Sequence, residues 1–270
     1  MKANQKRKRA RGFTLVELFV IVALLFFLTL LVPPAFSRGQ GRARRIQCAN
    51  NLKQVGLAYE VWALGNGGLL PMQVGDGANA PPNLAQLMQA NPMPVYTYQV
   101  FGVMSNELGS PKVLVCPADD SPVHTNFLMV QDGTNNQPFA GQTTLCNLNL
   151  SYFVGRGANE ETPQSVLMGD RNIYGGGSIS QSRYDSAANG GFGNSPVHAG
   201  VTFSPGFACA MGTNFTAGGI SPCWTDKMHQ KQGNVALADG SVQLSTSSVL
   251  RSLLAGTGDT NVPPNMLLFP

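Results

Sequence analysis

The hydrophobic positions near the N-terminus form one long, nearly continuous run. From Phe13 to Val32, twenty residues are apolar with few exceptions. A helix of that length extends about 30 Å, which is the thickness of a bilayer core. The run therefore predicts a transmembrane helix over 13–32. Its one charged residue is Glu17, and a carboxylate in hydrocarbon is unfavourable unless something compensates for it.

A one-sided pattern follows this run. Pro33 and Pro34 come first, and they predict an end or a kink because proline removes a hydrogen bond of the helix. Apolar residues then recur at intervals of four and three, which is typical of one face of an amphipathic helix. This stripe comprises Cys48, Leu52, Val55, Tyr59 and Trp62, and Leu57, Val61 and Leu64 broaden it. A glycine-rich breaker begins at Gly65, so one long helix or two collinear helices are predicted over 13–64.

Beyond Gly65 the pattern changes to short strands between long loops. Strands are predicted at Lys112–Cys116, Ser151–Val154 and Ser165–Met168, and a short helix at Asn83–Ala90. Stretches 174–177, 189–193 and 204–222 predict loops. We therefore expect an α+β protein, in which the long helix packs on a loop-rich antiparallel β-sheet domain covering 65–270.

One hairpin is predicted in detail, over residues 235–244. Asp239-Gly240 is a preferred two-residue turn. With this turn, Leu237 pairs with Val242 and Val235 pairs with Leu244. These four side chains then share one face, so the register suits a half-buried hairpin.

The basic charge of the chain is concentrated in its first twelve residues. The net charge is +4, and without the six basic residues of this tail it becomes −2. A basic tail directly before an apolar run is typical of a cytoplasmic flank of a membrane anchor. A nucleic-acid-binding tract is the alternative, but the rest of the chain lacks the basic excess that such binding needs. No nucleic-acid partner is therefore expected.

The cysteines are scattered and show no metal-binding spacing. If the domain is exported, one or two disulfides are expected, and the nearest pairs in sequence are Cys209 with Cys223 and Cys116 with Cys146. Five cysteines leave at least one thiol free or paired between chains. Buried unpaired cysteine is the alternative.

Candidate catalytic and ligand-binding residues are few. The chain has no GxSxG, P-loop, HExxH or dinucleotide-binding pattern, so we do not expect an enzyme or a cofactor. Surface or capping roles are expected for the three histidines, which are His124, His198 and His229. Asp119, Asp120, Asp170 and Asp239 offer oxygen ligands for calcium. Turn formation explains Asp239 as well, and loop solubility explains Asp119 and Asp120. Core packing is expected for Trp62 and Trp224.

The N-terminal residues resemble a known processing signal. A basic tail, Gly12, Phe13, Thr14, Leu15, Val16, Glu17 and an apolar run are similar to the cleavage and methylation signal of type IV pilins and type II secretion pseudopilins. The resemblance implies a pilin-like fold, cleavage after Gly12 by a prepilin peptidase, and methylation of the new amino group of Phe13. Glu17 falls on the family's carboxylate position, and Pro34 on the position of its helix-breaking proline.

Short motifs farther along the chain extend the resemblance. They are similar to motifs of a group of pseudopilin-like proteins of planctomycetes and verrucomicrobia, whose C-terminal domain is named for an H-x9-DG element. In this chain that element is His229 followed, after nine residues, by Asp239-Gly240. The other motifs are Gln47-Cys48-Ala49-Asn50-Asn51-Leu52-Lys53-Gln54, Cys116-Pro117-Ala118-Asp119 and Gly169-Asp170-Arg171-Asn172.

The resemblance implies a structural role in a filament. The leader 1–12 would lie in the cytoplasm, the helix would cross the bacterial inner membrane once, and the processed protein would enter a periplasmic or extracellular filament. Expected partners are copies of the chain or other pilin-like subunits, the peptidase/methyltransferase and an inner-membrane assembly platform. A membrane-anchored ligand-binding protein that does not polymerise is the main alternative. An exported enzyme cut near Ala35-Phe36-Ser37 is less favoured, because signal-peptide apolar regions are shorter.

Overall fold

A computed structural model describes residues 12–74, 97–121, 123–127, 147–174, 207–213, 215, 221–226, 228–260 and 264–270. These residues form a mixed structure of helices and antiparallel sheet, which confirms the α+β class. The chain forms two compact units, one ending at Arg42 and the other beginning at Ala43. The second half of the long helix thus belongs to the globular unit.

The long helix, α1, is continuous over Leu15–Gly65. It does not end at Pro33 and Pro34, and it stops at the predicted glycine-rich breaker. Residues 12–28 are exposed; the structure does not describe the side chains of 29–38, which include the last residues of the predicted span. Within the described part of the chain, no helix has both the length and the apolar character needed to cross a membrane.

The second half of α1 contributes one face to the core. The predicted stripe is confirmed, since all five of its residues are buried: Cys48, Leu52, Val55, Tyr59 and Trp62. The predicted broadening is wrong, because Leu57, Val61 and Leu64 are exposed. The small residues Ala58 and Ala63 are buried beside the stripe instead.

The remaining helices are short. They are α2 over Thr97–Val103, α3 over Ser105–Leu108 and α4 over Ser247–Ala255, with 3-10 turns at Pro111–Leu114 and Asn147–Asn149. Thr246 caps α4 through its Oγ1 atom, which accepts a hydrogen bond from the Val249 amide at 3.5 Å.

Eight strands form two antiparallel sheets. The strands are β1 Tyr152–Gly155, β2 Val166–Asp170, β3 Ile173–Tyr174, β4 Phe207–Ala210, β5 Cys223–Trp224, β6 Gln232–Leu237, β7 Val242–Thr246 and β8 Met266–Phe269. The main sheet has the order β4-β8-β1-β2-β6-β7, and β3 pairs with β5. The predicted strands at Ser151–Val154 and Ser165–Met168 are thus confirmed to within two residues at each end.

The inner strands of the main sheet, β1, β2, β6 and β8, are buried on both faces, whereas the edge strand β7 is largely exposed. Successive side chains of a strand point to opposite sides of the sheet, so these strands contribute to two cores. Tyr152 and Val154 belong to the same core as the α1 stripe, whereas Phe153 packs in a second core with Leu250 and Leu254 of α4. Trp224 also lies in the second core, and Trp62 in the first, as predicted. An added Cβ at Gly233 would meet the Trp224 ring at 2.5 Å, so glycine permits this close packing.

The predicted hairpin is present, but its register is wrong by one residue. Val235 pairs with Gln243, and Ala236 pairs with Val242. The Leu237 amide donates to the Ser241 carbonyl at 2.9 Å, so three residues rather than two lie between the last hydrogen-bonded residues of the hairpin, and Gly240 among them has a φ of 76°. Leu244 consequently pairs with Asn234 and is exposed.

Two other local predictions are wrong. Residues 111–114 form a 3-10 turn instead of a strand, because Ser110 Oγ accepts from the Lys112 amide and Pro111 occupies the first turn. Part of the predicted loop 204–222 is strand β4, whose partner β8 gives it a complete ladder. The predicted helix at Asn83–Ala90 and the loop at 189–193 lie outside the described residues, as does 175–177.

Candidate functional site

The predicted processing and assembly residues lie at the start of α1. Gly12 and Phe13 precede the helix and are exposed, so the bond between them is accessible. Glu17 is exposed too, and its Oε2 atom accepts from the Thr14 amide at 2.9 Å and from Thr14 Oγ1 at 2.7 Å. The Glu17 amide donates to Thr14 Oγ1 at 3.3 Å. Thr14 and Glu17 thus form a capping box, which satisfies amide groups at the helix start.

The internal motifs of the sequence meet in a buried cluster within the globular unit. Its members come from α1, from the loop after the 3-10 turn at Pro111–Leu114, from the end of β2, and from β6 and the segment before it. The residues of this cluster, here called the polar cluster, are Arg45, Cys48, Cys116, Asp119, Asp170, Arg171, His229 and Asn234. Six of them are buried, and Arg45 and Asp119 are half-buried.

A disulfide joins Cys48 of α1 to Cys116, with 5.0 Å between the two Cα atoms. It attaches the helix to a segment 68 residues away in sequence. The predicted pairing of Cys116 with Cys146 is therefore wrong. The pairing of Cys209 with Cys223 is also wrong, because Cys223 is a free cysteine. Cys146 itself lies outside the described residues.

His229 lies between the disulfide and a buried carboxylate. Its Nε2 atom is 3.3 Å from Cys116 Sγ and 3.4 Å from Asp170 Oδ2. The predicted surface role of His229 is wrong, because only 6 % of the residue is exposed. Met228, Gln230 and Lys231 around it have φ values of 54–62°. Non-glycine residues seldom adopt this conformation, and such strain clusters at functional sites.

Asp170 is fully buried at the end of β2. Its Oδ2 atom accepts from the Asn234 amide at 2.7 Å and from Asn234 Nδ2 at 2.9 Å. Oδ1 has no hydrogen-bond partner among the described residues. Burial raises the pKa of Asp170 to about 8 against the effect of these two donors. Burial, together with the nearby Arg45 charge, lowers the pKa of His229 to about 4.

A buried ion pair lies beside this group. Arg171 Nη2 is 2.9 Å from Asp119 Oδ1, and the two side chains are 1 % and 6 % exposed. Asp119 also accepts from the Asp120 amide and from Ser121 Oγ. The expectation that loop solubility explains Asp119 is therefore wrong, since its carboxylate compensates the charge of a buried guanidinium.

Arg45 connects α1 to the hairpin. Its guanidinium donates to Gln232 Oε1, to the Gly233 carbonyl at 3.2 Å and to the Ser245 carbonyl at 3.4 Å. The Arg45 carbonyl in turn accepts from Asn234 Nδ2 at 3.5 Å. The first turns of the globular half of α1 are thus held to β6 and β7 by polar contacts.

Strand β6 lies between His229 and Asp239 and accounts for most of the nine residues that separate them. His229 precedes β6 and belongs to the polar cluster, whereas Asp239 lies in the turn after β6. Asp239 Oδ1 accepts from the Ser241 amide at 2.9 Å, and Oδ2 accepts from Gln164 Nε2 at 3.2 Å. Both carboxylate oxygens thus stabilise the turn, and calcium binding there stays a prediction.

Sequence reasoning singled out the motifs of this cluster but not their contacts. Arg45 was missed altogether, and Arg171 was noted only as part of a motif. The order of the motifs along the chain was the one signal that pointed to a common site. Of the other histidines, His124 is buried, and its Nδ1 atom lies 2.8 Å from the Asn126 carbonyl oxygen and 3.3 Å from the Asn126 amide nitrogen. His198 lies outside the described residues.

Comparisons with protein families, with curated proteins and with solved structures found no match for this chain. The predicted similarity to prepilins therefore depends on the N-terminal residues Gly12 to Glu17 and on the internal motifs alone.

The two perturbed pKa values predict how stability changes with pH in the disulfide form. The ordinary pKa values of Asp170 and His229 are 3.8 and 6.5. Between about pH 4 and 6.5 the folded protein binds one proton more at Asp170 and one fewer at His229 than the unfolded protein does. The two contributions to the pH dependence of the free energy of unfolding therefore cancel. From pH 6.5 to about 8 only Asp170 contributes, and the free energy of unfolding should fall by up to about 2 kcal/mol.

Urea denaturation of the full chain at pH 6.5 and 8, with EDTA present, measures this decrease. Asp170→Asn removes the titrating group and should flatten the profile in that interval. A wild-type profile that stays level or rises between pH 6.5 and 8 would contradict the assignment of the proton to Asp170.

Proposed function

We propose that the protein is a structural subunit of a type IV pilus-like or type II secretion pseudopilus filament. The observation that carries the proposal is the first part of α1, where exposed apolar side chains surround the helix and Glu17 is the only charge before Arg38. An apolar surface of this extent needs a lipid or protein environment. A bundle of identical helices provides one after the subunit leaves the bilayer.

The processing step fits the start of the helix. The proposal places the leader in the cytoplasm and the single span in the inner membrane, with prepilin peptidase cutting after Gly12. Gly12 and Phe13 are exposed and lie outside the helix, which favours access of a peptidase to their shared bond. Cleavage gives Phe13 a positively charged amino group, which the peptidase then methylates.

Glu17 gives the assembly its register. In a bundle of apolar helices its carboxylate is unfavourable unless it is paired. The amino group of Phe13 on a neighbouring subunit supplies that pair at one axial offset. A polar group buried among apolar helices specifies register in this way at some loss of stability. Other offsets leave the carboxylate unpaired.

The capping box supports a second candidate function, that of a plain membrane anchor. Glu17 already accepts two hydrogen bonds from Thr14 of its own chain. A helix start alone therefore explains a carboxylate at this position. Under this alternative the protein does not polymerise, and its globular unit binds a ligand at the membrane surface.

A cysteine-nucleophile enzyme is less favoured. Cys116 sulfur is bonded to Cys48, and the same Nε2 atom of His229 faces both Cys116 and Asp170. A catalytic triad uses one imidazole nitrogen for the nucleophile and the other for the acid.

Three substitutions distinguish the filament subunit from the plain anchor. Glu17→Ala removes both the charge and the capping box; Glu17→Gln removes the charge but keeps a side chain that suits the box; Thr14→Ala breaks the box and keeps the charge. We expect Phe13 as the methylated N-terminus in all three, by mass spectrometry. Filaments in sheared material should be lost with both Glu17 variants and retained with Thr14→Ala.

Other results would count against the filament subunit. Normal filament yield from Glu17→Gln would show that the charge does not set the register. An intact Met1 in the native protein would favour the plain anchor, and a start near Arg38 would indicate an ordinary signal peptide.

A further inference from the structure

The polar cluster brings four metal-binding side chains together from distant parts of the chain. The ligand atoms of Cys48, Cys116, Asp170 and His229 all lie within 4.8 Å of one another, and all four residues are buried. No other group of three or more such residues occurs in the part of the chain that the structure describes. This convergence is independent of the filament function proposed above.

We propose that reduction of the disulfide converts this cluster into a structural Zn2+ site. The ligands are the two released sulfurs, the Nε2 atom of His229 and a carboxylate oxygen of Asp170. Thiolate and imidazole ligands in a closed four-coordinate shell are typical of structural zinc, whereas calcium and magnesium take oxygen ligands.

The distances fit a tetrahedron around zinc. With zinc–sulfur bonds of about 2.3 Å and zinc–nitrogen or zinc–oxygen bonds of about 2.0–2.1 Å, neighbouring ligand atoms of a tetrahedral site lie about 3.3–3.8 Å apart. Nε2 of His229 is 3.3 Å from Cys116 Sγ and 3.4 Å from Asp170 Oδ2. The two sulfurs must separate, and their Cα distance of 5.0 Å lets side-chain rotation achieve this.

Hydrogen bonding in the cluster also fits a bound cation. A single Nε2 atom faces a sulfur and a carboxylate oxygen, and one N–H can donate well to only one of them. Asp170 Oδ1 is buried and lacks a hydrogen-bond partner among the described residues. A cation in the centre attracts all of these atoms at once.

The surroundings supply the outer support that zinc ligands need. Asn234 orients the Asp170 carboxylate through two hydrogen bonds, and the Ala118 amide donates to Cys116 Sγ at 3.5 Å. Two thiolates and a carboxylate exceed the charge of Zn2+ by one. The nearby Arg45 guanidinium, which interacts electrostatically with Asp170, offsets this excess.

The conversion balances in two steps. A dithiol reductant transfers two electrons and two protons to the disulfide, giving two thiols while the reductant becomes a disulfide. Zn2+ then displaces one proton from each thiol and the proton that the buried Asp170 carboxyl holds, so binding releases up to three protons and is favoured by higher pH. The disulfide joins α1 to the loop at Cys116, and the metal would join both of them to Asp170 and His229.

Metal titration of the full chain in detergent tests the proposal. The parent carries serine at Cys146, Cys209 and Cys223, so that only the two cluster cysteines remain. After reduction with a phosphine, Co2+ should bind one to one, with the visible bands of a tetrahedral ion and a thiolate-to-cobalt charge-transfer band, and Zn2+ should displace it. The oxidised parent should bind neither ion. Zn2+ at about a thousandfold above its Kd should raise the Tm of the reduced parent by roughly 10 °C.

Matched histidine variants locate the site. His229→Ala should weaken Zn2+ binding at least about tenfold, whereas His124→Ala, which changes another buried histidine, should bind as the parent does. If His229→Ala does not fold, the cobalt spectrum of the folded, reduced parent tests the proposal by the presence or absence of the tetrahedral and thiolate bands. Three results would each overturn the proposal. They are a cobalt spectrum without the thiolate-to-cobalt band, equal metal binding by the oxidised parent, and an unchanged affinity for Zn2+ in folded His229→Ala.

Discussion

Replacing both Cys48 and Cys116 by alanine should lower the free energy of unfolding of the globular unit by about 4 kcal/mol. The disulfide closes a loop with a sequence separation of 68, and such a cross-link restricts the unfolded chain strongly. The bond is also buried among the α1 stripe and the sheet, so its loss loosens the helix where it enters the core. Urea denaturation with EDTA present, followed by the fluorescence of Trp62 and Trp224, measures the effect.

Two controls identify the cross-link as the cause. Cys223→Ala changes a half-buried free cysteine and should leave the unfolding midpoint nearly unchanged. Reduced wild-type protein with EDTA should unfold close to the midpoint of the double variant. If the double variant unfolds at the same urea concentration as oxidised wild type, the bond contributes nothing and the disulfide pairing is wrong.

Local periodicity made the helical part of the fold predictable. The stripe from Cys48 to Trp62 follows the period of a helix, and its burial depends on residues within a few turns. The same pattern does not show how wide the buried face is. That width depends on what packs against the helix, which is why Leu57 and Val61 are exposed.

The hairpin shows why strand register was harder to predict. Register follows from alternation where one face of a strand is polar. Five of the six residues of β6 are buried because both faces of this strand are covered, so alternation does not distinguish two registers that differ by one residue. Gly240 decides between them through its positive φ, which allows the three-residue connection.

The polar cluster was only partly predictable, because its members are separated by long stretches of chain. The sequence alone shows short motifs around Cys116, Asp170 and His229 and the order in which they occur along the chain. Their contacts arise only after β2 and β6 pair and α1 packs on the sheet. Sequence separation favoured Cys146 as the partner of Cys116, but the fold places Cys48 beside it.

Asp119→Ala should lower the free energy of unfolding by roughly 3–5 kcal/mol. The substitution leaves the Arg171 guanidinium buried and without its carboxylate partner, and Arg171 is the largest fully buried side chain among the residues that the structure describes. It also removes the acceptor of the Asp120 amide and of Ser121 Oγ. Urea denaturation at neutral pH measures the loss.

A double variant separates the unpaired charge from the other lost contacts. Asp119→Ala with Arg171→Met removes both charges and keeps a long apolar side chain, so it should be more stable than Asp119→Ala alone by more than about 1 kcal/mol. Asp226→Ala is the matched control, because its pair with Lys231 is exposed and 3.8 Å long, and exposed pairs contribute little. If the double variant is no more stable than Asp119→Ala, charge burial does not explain the loss, and the hydrogen bonds of Asp119 to its own loop become the main contribution.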